Sequence, residues 1–391
     1  MLCGRAARAA AKRIQVSETE RKEQMSKHRS GPRRGRQARQ IIALAILTLA
    51  MVPRAHSSVA LLMEEPYGQF GAFNPTGHAA VYLNHVCAAS PSELRVCQLG
   101  EYGVVISRYH KIAGYDWIAI PIIPYLYAVD DSSEVPLSVT KEQEFALRDA
   151  YRRAHLEALA PDRLHGLAPG GEWTQLVGSS YDRAIHGFQV DSTAEQDQRF
   201  IAIFNDRSNA AHFNLFFHNC ADFSRVVLDI YLPHAIHRNF IADVGMTTPK
   251  QVARSLVKYG KDHPEVEMSA FVIPQVPGSV PRSHPVDGVA ESLVKSKKYL
   301  LPMAILVPEL TGGVVVAYLA DGRLKLPKNA VVFNVDDEVA EPGQASAPPP
   351  IHPALSDAPA GAPAQDPETP SPSTAPTPTP AASAPMSPRC V

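Results

Sequence analysis

Cysteine is scarce in this chain: five in 391 residues, at positions 3, 87, 97, 220 and 390. Structural zinc sites draw on paired Cys or His modules at regular spacing, and no second cysteine stands near Cys220. A phosphate-binding loop and a dinucleotide fingerprint are also missing, since Gly166 to Gly171 has neither the spacing nor a preceding strand. No internal repeat is present. Basic charge is missing from the body of the chain. Residues 1–40 hold twelve Lys/Arg against three Glu, so a total of −1 leaves about −10 on the rest. A body that acidic lacks the basic face on which nucleic-acid binding depends, which argues against that class of partner.

What the chain does have begins at its N-terminus. The basic stretch is followed by an uncharged apolar run at 41–52, and Ala55-His56-Ser57 then offers a cleavage site between small residues. These are the three parts of a secretory signal, and the run is too short to span a bilayer comfortably. Residues 1–57 are expected to be this leader, cleaved or kept as an anchor, with Met25 as a second candidate start. The chain is therefore expected to be exported, periplasmic or associated with the cell envelope. At the other end, residues 341–391 are rich in Pro, Ala, Ser and Thr. Such a segment buries too little apolar surface to offset its ordering entropy and reads as a disordered tail.

Hydrophobic residues make up 45% of the sequence, enough for a sizeable core. Short apolar runs at 59–63, 78–83, 94–99, 104–109, 117–129, 185–190 and 212–217 read as strands. Capping boxes at Thr140…Gln143, Ser192…Glu195 and Thr248…Gln251 open helices near 141–159, 193–207 and 249–259. This alternation gives an α+β domain over 59–264, with a mostly antiparallel sheet. Residues 265–340 follow as a Pro/Ser-rich linker to about 285 and an apolar segment at 299–320. Pro302, Pro308, Glu309 and the flanking Lys295, Lys297 and Lys298 disfavour a transmembrane helix there. A hairpin or helix packed on the body, with possible membrane association, is the expectation.

One stretch carries the chemistry. After the aromatic run Phe213–Phe217, Asn219 is a good helix N-cap. Phe223, Val226, Val227 and Ile230 then line one face of a helix that ends before Pro233. Cys220 falls in the first turn, where unpaired amides and the helix dipole favour a thiolate. The same amides suit an oxyanion. The phenylalanines of the run are expected in the core. Asp130-Asp131 reads as a turn, and His263-Pro264 as a helix end. In an oxidising compartment Cys87 and Cys97 would close a small disulfide loop; in a reducing one they would be two buried thiols.

His78-Ala79-Ala80-Val81-Tyr82-Leu83 and Asn219-Cys220, in that order, resemble the permuted branch of the papain-like cysteine hydrolases. That branch includes lecithin:retinol-acyltransferase-like proteins and relatives of the NlpC-type cell-wall peptidases. The resemblance covers roughly residues 59–260. It implies a papain-like fold, a nucleophile at Cys220, a general base and acid at His78, and an orienting polar residue on the next strand, for which Gln98 and Glu101 are the candidates. Two positions depart from the pattern. Ala221-Asp222 stand where the acyltransferase-like members have an acidic residue and a His, and Asn84 replaces a Gly.

A Cys–His pair would cleave or transfer an acyl group through a thioester, with no cofactor and no metal. Cell-wall peptide is the first expected substrate and a lipid ester the second. Two other classes compete with this reading. One is an inactive, envelope-associated binding or scaffolding module. The other is a metal site built from His212, His218 and Cys220, or from the His234-x-x-His237 pair.

Overall fold

The computed structural model describes residues 57–338, apart from 69–70, 72–74, 111, 212, 244, 322–323 and 325–329. The basic leader, the 41–52 run, the tail and His212 lie outside the described residues.

Strand β1 (Ser58–Glu64) is the centre of the sheet and is buried along its whole length. Its near-continuous apolar run fits a strand covered on both faces. Around it stand β2 (His78–Leu83), β5 (Val104–Ser107), β6 (Ile118–Pro121), β7 (Ile185–Asp191), β8 (Ser269–Ile273) and β9 (Val331–Val332). Their order is β6-β5-β2-β1-β7-β8-β9, antiparallel throughout except for the β8–β9 pair. A separate two-stranded ribbon, β3 (Val86–Ser90) with β4 (Glu93–Val96), stands apart from this sheet.

The strand period of two sorts side chains onto two faces. Val59, Leu61 and Met63 join Ala79 and Val81 in one core, beneath helices α4 (Ala194–Asp206), α5 (Cys220–Tyr231) and α6 (Pro249–Asp262). Ala60 and Leu62 join Ala80 and Tyr82 in the other, beneath α1 (Ile122–Tyr127), α2 (Lys141–His155) and α3 (Ser179–Asp182). The molecule is thus an α+β protein with a mostly antiparallel seven-stranded sheet covered on both faces. Gly187 on β7 is needed there, because a Cβ at that position would lie 2.1 Å from the ring of Phe271 on β8.

Four local expectations are corrected. The strand expected over 117–129 stops at Pro121, and α1 begins at once, its Pro124 in the first turn where no intrahelical N–H is lost. The box on α4 is Thr193…Gln196, one residue later than expected. Residues 214–218 form a tight turn closed by an Asn214–His218 bridge, not a strand. The stretch expected to be a linker contains β8, which pairs with β7 and carries the sheet beyond residue 264. The apolar segment at 299–320, expected as a hairpin or helix, forms two short helices, α8 (Lys297–Leu306) and α9 (Pro308–Asp321), which pack on each other and on α7 (Val289–Lys295). Among the described residues no helix is long and apolar enough to cross a membrane.

Candidate active site

Asn219 sets the position of Cys220. Its Oδ1 accepts from the Asp222 amide at 2.9 Å, capping α5. Its Nδ2 donates to the carbonyls of Leu215 and Thr247, at 3.0 Å each. One side chain therefore ties together the turn before the cysteine, the head of its helix and the α5–α6 connection. Asp222 reinforces the tie from the third helical position, accepting from Arg238 at 2.8 Å and Thr247 Oγ1 at 2.6 Å. The residue that departs from the acyltransferase-like pattern thus serves to anchor a loop.

α5 packs its Ala221, Phe223 and Val227 against the β2 side of the core, which brings Cys220 to the start of β2. There the half-buried thiol meets the half-buried imidazole of His78, within reach of both charge coupling and hydrogen bonding. Burial is the largest single influence and opposes ionisation of each group, but the partner's charge and hydrogen bonding together outweigh it. The His78 pKa is raised above 6.5, and the Cys220 thiol is held below 9.0. A backbone hydrogen bond from Ala79 further favours the thiolate. These opposite shifts are those of a pair that exchanges a proton.

Ser107, on the strand beside β2, fixes the imidazole. Its Oγ donates to the Ala79 carbonyl at 2.8 Å and lies 2.9 Å from His78 Nε2. A hydroxyl has one proton, so toward Nε2 it accepts. Nε2 therefore donates to the hydroxyl, which leaves the lone pair of the neutral ring on Nδ1. Tyr109 stacks on the same ring, centroids 5.4 Å apart. Replacing Ser107 by Ala removes one neutral hydrogen bond, worth about 1 kcal/mol. A roughly five- to tenfold fall in kcat/KM is expected, together with a displaced alkaline limb of the pH–rate profile; an unmoved limb would remove Ser107 from the machinery.

Gln98 and Glu101 stand elsewhere. Glu101 accepts from both Arg95 guanidinium nitrogens, at 2.6 and 2.7 Å, and from the Gln98 amide at 2.6 Å. Both residues follow the β3–β4 ribbon, whereas β2's neighbour in the main sheet is β5. The ribbon is closed by the Cys87–Cys97 disulfide, Cα atoms 4.8 Å apart. Among the described residues the one His/Cys/Asp/Glu group tight enough for a metal is Cys87, Cys97 and Glu101, and its two sulfurs are bonded to each other. His218 and Cys220 do not form such a group.

Behind His78 lies a charge that the sequence does not single out. Glu64 is directly opposite His78 in the β1–β2 register and fully buried. It accepts from the Tyr125 hydroxyl and pairs with the buried Arg183 at 3.1 Å. Arg183 also lies over the Tyr67 ring, 4.4 Å from its centroid. The Glu64 charge raises the pKa of both His78 and Cys220. The only signal for it in the sequence is a carboxylate ending an otherwise apolar strand.

No family model, curated protein or solved structure matches this chain. The site therefore rests on its own geometry: a thiol at a helix head, an imidazole with an assigned tautomer, and a group that orients it.

Proposed function

We propose that the chain is a thiol hydrolase or acyltransferase of the papain-like type, acting on an amide or ester bond through Cys220 and His78. The observation that carries this reading is the mutual tuning of the two groups, thiol down and imidazole up, at the head of α5. In the first step His78 Nδ1 takes the thiol proton and the sulfur adds to the carbonyl carbon. The oxyanion develops where the first-turn amides of α5 point. Collapse expels the leaving amine or alcohol with the proton from His78, giving a thioester. Water or an acceptor amine, hydroxyl or thiol then takes the acyl group, with His78 as base.

The Cys87–Cys97 disulfide supports an oxidising compartment and hence export to the cell envelope. Of the two substrate classes expected from the sequence, cell-wall peptide and lipid ester, the apolar surroundings of the thiol favour a lipid-linked acyl group. Leu215, Phe216 and Phe217, three to five residues before Cys220, are each more than half exposed. Phe216 and Phe217 are thus not the core residues expected from their apolarity.

Iodoacetamide tests the nucleophile. Labelling of Cys220, followed by mass spectrometry across pH 5–10, is expected to show a midpoint below the roughly 8.5 of an ordinary thiol and a rate at neutral pH above that of a model thiol. A midpoint at or above that value would defeat the proposal.

A further inference from the structure

The surface beside Cys220 is apolar, and it continues away from the site. The 215–217 turn is held open by Asn214, whose Oδ1 accepts from the amides of Phe216 at 2.9 Å and Phe217 at 3.3 Å. Its aromatic side chains are displayed to solvent by a turn with satisfied amides. A second tip, Phe240-Ile241, has the same design: Asn239 Oδ1 accepts from Ile241 and Ala242 at 2.9 and 2.8 Å. Phe240 is 76% exposed. Asn219 and Asp222 bind the two tips to one helix head, through Leu215 and Thr247 on one hand and Arg238 on the other.

The second tip leads directly into the three-helix segment. The Ala290 amide donates to the Ala242 carbonyl at 2.9 Å, and the Val289 amide to Asp243 Oδ1 at 3.0 Å. α7, so placed, packs with α8 and α9. From Leu300 to Ala320 the sequence has a single charge, Glu309. Ile305 and Leu306 are 79% and 77% exposed, and Leu301, Leu310, Val316 and Leu319 are exposed as well. A helix apolar on all sides belongs inside protein or inside lipid, whereas one lying flat on a membrane keeps a polar face. α8 has ten residues and α9 fourteen, about 15 and 21 Å long against a hydrocarbon core of about 30 Å. Each is shorter than that core, so neither can cross it. At the open end, Lys297 and Lys298 are exposed, and among the described residues neither makes a salt bridge. Two such ammonium groups at the edge of an apolar hairpin complement anionic headgroups.

We propose that this face docks on an anionic lipid bilayer. The α8–α9 hairpin beds its exposed apolar side chains in the outer part of one leaflet, with Lys297, Lys298 and Glu309 kept at the headgroup level, and the 215–217 and 240–241 tips rest at the same surface, so that Cys220 opens toward the lipid. The docking itself stands apart from the proposed chemistry; only the orientation of the thiol rests on that reading. A protein partner would be expected to meet polar groups that fix a register, and the exposed faces of α8 and α9 present almost none.

Tryptophan fluorescence with brominated lipids tests the docking. The two native tryptophans, Trp117 and Trp173, are each 3% exposed and give an unquenched baseline. Single variants Ile305→Trp, Phe216→Trp and Phe240→Trp of the full chain are mixed with vesicles of brominated phosphatidylcholine and phosphatidylglycerol. Ile305→Trp is expected to lose at least half of its added emission, and the two tip variants a smaller part. Leu164→Trp, on the α2 side of the sheet, is expected to lose none. Each residue reports its own position, so attachment through another part of the chain cannot mimic the result. An unquenched Ile305→Trp, in protein whose near-ultraviolet circular dichroism is that of the wild type, overturns the proposal. So does a blue shift without vesicles that grows with protein concentration, which would assign the face to a second copy. Alkylation of Cys220 without vesicles is read separately. Quenching with an inert thiol removes the enzyme, and a reactive thiol without quenching removes the docking.

Discussion

Cys220→Ala is expected to abolish turnover of a fluorogenic long-chain acyl ester, with kcat falling by about 10⁴- to 10⁶-fold while the thermal transition stays within a few degrees of the wild type. The size of the loss follows from the chemistry, since alanine has no lone pair to form the thioester and the first-turn amides then have no oxyanion to stabilise. His78→Asn should come close to it, because the half-buried thiol then loses both its base and the charge that favours the thiolate. The two losses should not add. Cys220 and His78 act as one unit, so the double variant should be about as slow as either single one. The fold tolerates the first change, because Cys220 is only half-buried and the helix is capped by Asn219, not by the sulfur. Turnover in Cys220→Ala at more than a hundredth of the wild-type rate would transfer the chemistry to another group.

Most of this site was legible in the sequence, and what was not has a physical cause. The helix start at Cys220 could be read because capping is local: Asn219, Asp222 and the 3.6-residue spacing all lie within a dozen residues. His78 is a candidate through its order relative to Asn219-Cys220. Ser107 was not, because the neighbour of a strand in a sheet is a long-range property. The chain leaves β2, folds the disulfide-closed β3–β4 ribbon outside the main sheet, and only then returns as β5. A reading that took the following strand in sequence therefore arrived at Gln98 and Glu101. Strand β8 was hidden by the surrounding prolines, although Ser269–Ile273 is itself free of them. The exposed Phe216 and Phe217 were misjudged because apolarity predicts burial only on average. Nothing in their local pattern says that the turn faces outward.

Glu64→Ala is the change expected to cost most stability, about 3–5 kcal/mol, or a fall of roughly 10 °C in the melting temperature. The reason is what remains behind. Arg183 is buried and would keep its charge after losing the carboxylate opposite it. The Tyr125 hydroxyl, buried in the same layer, would lose its acceptor. Glu64→Gln separates packing from charge: it keeps the shape, can still accept from Tyr125, and removes only the negative charge. The consequence for the site has a definite sign. The Glu64 charge raises the pKa of His78 and of Cys220 alike, and Arg183 acts on His78 in the opposite sense. Removing the carboxylate therefore moves both pKa values down. The alkylation midpoint of Cys220 in Glu64→Gln should fall below that of the wild type, and the pH range in which thiolate and imidazolium coexist should slide toward acid as a whole. A midpoint that stays in place, in a protein that has lost several degrees of stability, would assign the Glu64–Arg183 pair to the core alone and separate it from the chemistry in front of it.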